Sequence, residues 1–180
     1  MATCKEHLRR IYAALQAYKK AHGEYPLVLT RITRDGGDSV EGLYPKYIDD
    51  PNVFLCPAVA FRSSFNPPGF VKSDYMHTLD FDPMRRLTNP AVEAKVERYT
   101  RHDLPAKLGR DFTLVYCAMH SQVRAKSLLA LREDGRIEWD PVGGTLQQKM
   151  RDAFLNSVGY PKPGQSFMDH GEHRPTRQLR

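Results

Sequence analysis

The sequence predicts an α+β fold, with a long N-terminal helix packed on a small antiparallel sheet, long loops and a C-terminal helix. Two observations carry this. Residues 3–22 keep apolar side chains at helical spacing, and residues 112–139 hold three strand-like segments with a hairpin dipeptide between the last two. A chain of 180 residues with 41% apolar content suits one core. Residues 1–160 therefore read as a single domain and 161–180 as a flexible tail.

In the first helix, Leu8, Ile11, Tyr12, Leu15 and Tyr18 form one stripe, while Lys5, Glu6, Arg9, Arg10, Gln16, Lys19 and Lys20 fill the other face. The stripe is the expected packing face against the sheet. Gly23 supplies a left-handed stop and Pro26 prevents resumption. Asp35-Gly36-Gly37-Asp38 reads as a turn that leads into a short helix from Val40 to Tyr47. Residues 57–90 contain Pro67-Pro68-Gly69, Pro83 and Pro90 and little alternation, so they read as loops with short strands between Phe70 and Leu79. Asn89, Pro90 and Glu93 predict a capped helix that runs to about Tyr99.

The clearest sheet signal follows. Phe112–Cys117, Ser127–Arg132 and Arg136–Trp139 are rich in β-branched, aromatic or aliphatic residues, and Asp134-Gly135 suits a tight hairpin. Three antiparallel strands are expected. Leu146, Met150, Ala153, Phe154 and Val158 keep a helical stripe, which predicts a last helix from Thr145 to Val158. Tyr160-Pro161-Lys162-Pro163-Gly164 then breaks regular structure, and residues 165–180 are polar.

Composition leaves several chemistries open and removes others. The 27 basic and 21 acidic residues give a net charge of +6, which favours anionic partners. A binding module for DNA or acidic glycan would use this charge together with Tyr12, Tyr18, Tyr25, Tyr44 and Tyr47. Cys117 and His120 could ligate zinc with Cys56 as a third ligand, but a structural zinc takes four ligands and only one compact pair is visible. His170 and His173 form a second spaced pair in the tail. Asp80 with Asp82, Asp49 with Asp50, and Asp134 with Asp140 lack the spacing of a calcium loop and read as turns and strand ends. Phosphate-cradling, dinucleotide, serine-elbow and metalloprotease motifs are missing, so a non-enzymatic protein without metal or cofactor is expected.

The order of features adds a resemblance. Cys4, the first helix, Gly23-Glu24-Tyr25-Pro26, Tyr44-Pro45-Lys46-Tyr47-Ile48 and Phe54-Leu55-Cys56-Pro57 come first. Leu131, Asp134-Gly135, Ile137 and Trp139 follow in the hairpin. The chain thereby resembles the type IV pilin and type II secretion pseudopilin family over residues 1–57 and again over 112–140. His7-Leu8-Arg9-Arg10 stands where family members carry an Asn-Leu-Lys-Gln-like run. The resemblance implies a structural subunit of an extracytoplasmic filament or secretion pseudopilus in the bacterial cell envelope. Its partners would be other pilin or pseudopilin subunits, the assembly machinery and the inner membrane. It also implies a basic leader and an apolar run of about 20 residues ahead of Thr3, with Met1 and Ala2 as additions. Major pseudopilins carry a calcium site in a C-terminal loop, but no residues here match it. A secreted enzyme with a site across residues 57–111 is the more distant alternative.

An exported location would let two of the three cysteines pair. Cys56 with Cys117 is the expected pair, worth about 4 kcal/mol through restriction of the unfolded chain, with Cys4 left alkylatable. Cys4 with Cys56 is the alternative. In a reducing compartment all three would be small buried hydrophobes.

Overall fold

A computed structural model describes residues 2–33, 39–58, 73–78, 90–117, 119, 127–141 and 145–159. The expected turn at 35–38, most of the region 57–90 and the tail 161–180 lie outside the described residues. Helix α1 spans Ala2–His22. The amide of Gly23 closes onto the Lys19 carbonyl at 2.8 Å, and the basic Lys19, Lys20 and His22 of the last turn suit the negative end of the helix dipole. Leu8, Ile11 and Leu15 are fully buried, and Tyr12 and Tyr18 pack against the same core.

Strands β1 (Arg31–Thr33) and β2 (Ser39–Glu41) pair antiparallel, with Ile32 opposite Val40. The helix expected from Val40 to Tyr47 does not form: residues 39–41 are β2 and 44–47 a turn. The reasons are local. A Cβ on Gly42 would lie 2.0 Å from the Val28 carbonyl oxygen, so the chain is pressed flat against the 28–30 backbone, and the Leu43 amide bonds to the Leu29 carbonyl at 2.9 Å. Pro45 also disfavours helical backbone at Tyr44. A 3-10 helix, Pro51–Phe54, follows, capped by the Asp50 carboxylate on the Asn52 amide.

The main sheet has four antiparallel strands in the order β3 (Tyr75–His77), β4 (Thr113–Cys117), β5 (Ser127–Arg132) and β6 (Ile137–Pro141). The sequence predicts three strands here; the fourth, β3, falls in the 70–79 region and adds to the β4 edge. Because opposed residues share a face, the register Tyr75–Cys117–Leu129–Trp139 and Val115–Leu131–Ile137 builds one apolar surface. Cys117, Val115, Leu129 and Leu131 on that face are fully buried in the core that also holds Leu8, Ile11 and Leu15. The opposite face carries Thr113, Arg132, Glu138 and Asp140. At the β5–β6 turn Gly135 has φ of 83°, and a Cβ there would lie 2.9 Å from the Tyr12 ring, so glycine serves both the turn and the approach of α1.

Helix α2 (Pro90–Arg98) does not stop near Tyr99. It continues through a π turn, Tyr99–Asp103, into α3 (Leu104–Leu108). Helix α4 (Leu146–Ser157) starts where expected, with the Thr145 hydroxyl accepting the Gln148 amide at 3.1 Å. Its contact is narrower than the predicted stripe: Met150 and Phe154 pack on the core, whereas Ala153 is exposed and Leu146 is 64% exposed. Phe154 stacks on Tyr99 with ring centroids 3.8 Å apart. Among the described residues, no helix is long and apolar enough to cross a membrane.

Candidate functional site: a buried three-cysteine cluster

The chain's three cysteines meet. Cys4 lies in the first turn of α1, Cys56 follows the 3-10 helix, and Cys117 ends β4. Their sulfurs all lie within 4.8 Å of one another, each residue is fully buried, and none is disulfide-bonded. Tyr75, opposite Cys117 in the register, places its hydroxyl 3.3 Å from the Cys4 sulfur. The segment that carries Cys56 is fixed on both sides. Its amide donates to the Asp74 carboxylate at 2.8 Å, and the Asp74 amide donates to the Phe54 carbonyl at 2.9 Å. Next to it, the His7 ring nitrogen lies 3.1 Å from the Leu55 carbonyl oxygen, which ties α1 to the same loop.

This setting raises the Cys56 and Cys117 thiols above their ordinary value. Hydrogen bonding with Cys4 and then burial push the Cys117 thiol up, while burial pushes the Cys56 thiol up against a lowering contribution from the Ala58 amide. Burial and the Cys4 contact push the Tyr75 hydroxyl up as well. The three cysteines supply one ligand fewer than the four of a structural zinc site, and a metal would have to displace their thiol protons. The cluster does suit cystine formation, because a disulfide buries no charge.

Cys56 and Cys117 are thus brought together, but Cys4, expected to remain alkylatable, is buried beside them. Chain separation hid this: Cys4 and Cys117 are joined only through the register of β3 on β4 and the docking of α1. His120, His170, His173, Asp80 and Asp82 lie outside the described residues. Three of the remaining candidate carboxylates are held by arginines or turns. Asp50 caps the 3-10 helix and pairs with Arg10 at 3.8 Å, Asp134 binds Arg136 at 2.7 Å, and Asp140 binds Arg132 at 2.9 Å. Asp49 is exposed.

A polar knot occupies the other end of α1. The Tyr25 hydroxyl lies 2.8 Å from both Glu133 carboxylate oxygens, and Lys19 reaches the same carboxylate at 3.0 Å. Gln16 donates to the Tyr25 oxygen at 3.0 Å, and Arg101 donates to the Tyr25 carbonyl at 2.8 Å and to Glu24 at 2.9 Å. Of the five tyrosines named for a base-stacking surface, Tyr12, Tyr18, Tyr44 and Tyr47 are partly buried. Tyr25 is buried, Tyr12 donates to the Glu133 carbonyl, Tyr18 stacks on His22, and Tyr44 and Tyr47 pack against the core. On the outer face of the sheet, a cavity of about 210 Å³ lies between β4, β6 and α4, lined in part by Tyr116, Asp140, Gln147 and Arg151.

No family model, curated protein or solved structure matches this chain.

Proposed function

We propose that the chain is the globular part of a pilin-like or pseudopilin-like filament subunit, a structural and non-enzymatic component of an extracytoplasmic filament. The observation that supports the reading is the way α1 is used. One stripe (Leu8, Ile11, Leu15) is sealed into the core of a four-stranded antiparallel sheet, while Arg9, Arg10 and Lys20 remain on its exposed side. A helix docked in this way can carry a head on a shaft, since its N-terminal end at Thr3 is exposed. The ordered landmarks from Cys4 to Cys56 and the Asp134-Gly135 hairpin add to it.

The reading requires that the natural sequence ahead of Thr3 carry a leader and an apolar run of about 20 residues. The test is to express the gene with that upstream sequence beside a prepilin peptidase and assembly machinery. Cleavage ahead of the apolar run and shear-released filaments are expected. An upstream sequence without an apolar run overturns the reading. So does a closed oligomer of the isolated domain that buries the Leu8, Ile11 and Leu15 stripe, detected by light scattering.

A further inference from the structure

We propose that Cys4, Cys56 and Cys117 act as one redox centre that holds a single cystine whose pairing exchanges among the three sulfurs. Every sulfur lies within 4.8 Å of both others, so each of the three pairings joins close neighbours. All three residues are fully buried, and a bond between any two requires their sulfurs to close to about 2 Å. Several anchors around them hold main-chain atoms and do not involve the sulfurs. Asp74 holds the Cys56 amide, Leu55 is tied to His7, and the Tyr75 backbone pairs with Cys117.

The chemistry balances with one external reagent, a disulfide-bearing oxidant. Two cluster thiols lose their hydrogens and join, and the oxidant's disulfide is reduced to two thiols. The remaining thiol then gives up its proton, and its thiolate attacks one sulfur of the new cystine. That S–S bond breaks, and the expelled thiolate takes the proton. Access for the oxidant comes through the first turn of α1, whose amides lack partners within the helix and which opens at lower cost than the core. Cys4 sits in that turn, so it is the entry point. The centre belongs to the core and stands whether or not the chain polymerises.

The test uses the whole chain, reduced and then treated with oxidised glutathione, quenched in acid, alkylated, and mapped by peptic digestion without reductant. One cystine per chain is expected, read as a loss of two hydrogens in mass, with at least two of the three possible pairings recovered. Cys4→Ala, Cys56→Ala and Cys117→Ala should each still form one intramolecular cystine from the remaining pair. The proposal is overturned if wild type yields a single pairing and replacing either partner of that pair leaves two alkylatable thiols. It is equally overturned if the native chain carries one zinc ion with three unoxidised thiols. Should a variant fail to fold by circular dichroism, the wild-type pairing map decides alone.

Discussion

At its N-terminal end α1 is fastened by neutral side chains: Cys4 and Leu8 are fully buried beside Cys56, Cys117 and Tyr75. At its C-terminal end it is fastened by Lys19, Tyr25, Glu133 and Arg101, a set of charge-assisted hydrogen bonds between 2.8 and 3.4 Å. The two fastenings fail differently. The apolar one depends on filled volume and on the absence of charge, so it tolerates loss of a hydrogen bond but not the arrival of an ion. The polar one depends on completeness, because removing one partner leaves others desolvated and unpaired.

The strongest way to break the contrast is to bring a charge into the apolar stripe. Leu15 is fully buried on it. Leu15→Asp should cost about 4 kcal/mol or more and leave the domain largely unfolded at 25 °C, read by urea melts. A mild effect would mean that the helix is not docked. At the polar end the expected loss is smaller. Glu133→Ala removes the acceptor for Tyr25 and the partner of Lys19, at about 1–3 kcal/mol, while Glu133→Gln keeps an acceptor oxygen and should recover part of it. If Glu133→Ala matches Leu15→Asp, the two ends do not differ as argued.

The same contrast explains what could be read from the sequence. Helix α1, strands β4 to β6, the Asp134-Gly135 turn and the start of α4 follow from local periodicity and turn chemistry, which act within a few residues. Strands β1 and β2 are three residues each, too short to show alternation, and the apolar spacing of Val40 to Tyr47 imitates a helix that Gly42 and Pro45 forbid. The π turn at Tyr99–Asp103 leaves no compositional mark. The sulfur cluster was half legible. Cys56 and Cys117 stand out as a possible pair, but Cys4 joins them only through helix docking and a strand register that no local pattern encodes.

Alkali separates the two ends further. Cys56 and Cys117 are pushed above their ordinary value of 9.0, and Tyr25 and Tyr75 above 10.0. For Tyr25 the leading causes are burial and the hydrogen bond to Glu133. A raised value in the fold means that the unfolded chain releases protons first. The associated stability is therefore complete below the ordinary value and is lost as pH rises past it. In reduced protein, decline should begin near pH 9 from the thiols and steepen near pH 10 from the tyrosines, by about 1.4 kcal/mol per pH unit for each proton. Forming the cystine removes two thiols and should delay the onset, as measured by urea midpoints from pH 7 to 11 with and without reductant. Equal onsets in both forms would show that the thiols do not set the alkaline limit.

The smallest effect lies on the outward face of α1. Glu6 is exposed, and its contact with Arg9 at 3.1 Å joins two side chains that are 58% and 63% exposed. Water screens such a pair, and holding two long side chains together costs rotamer freedom, so its worth is a few tenths of a kcal/mol. Glu6→Lys replaces that pair with a like-charge neighbour of Arg9 and Arg10 and should shift stability by less than about 0.5 kcal/mol, with most of the shift removed by 0.5 M salt. The salt dependence makes the measurement informative. If Glu6→Lys destabilises strongly and salt does not relieve it, Glu6 is engaged by something other than Arg9. The outward face of α1 would then be a packed surface like the stripe behind it, and the division of the helix into a sealed side and a solvated side would not hold.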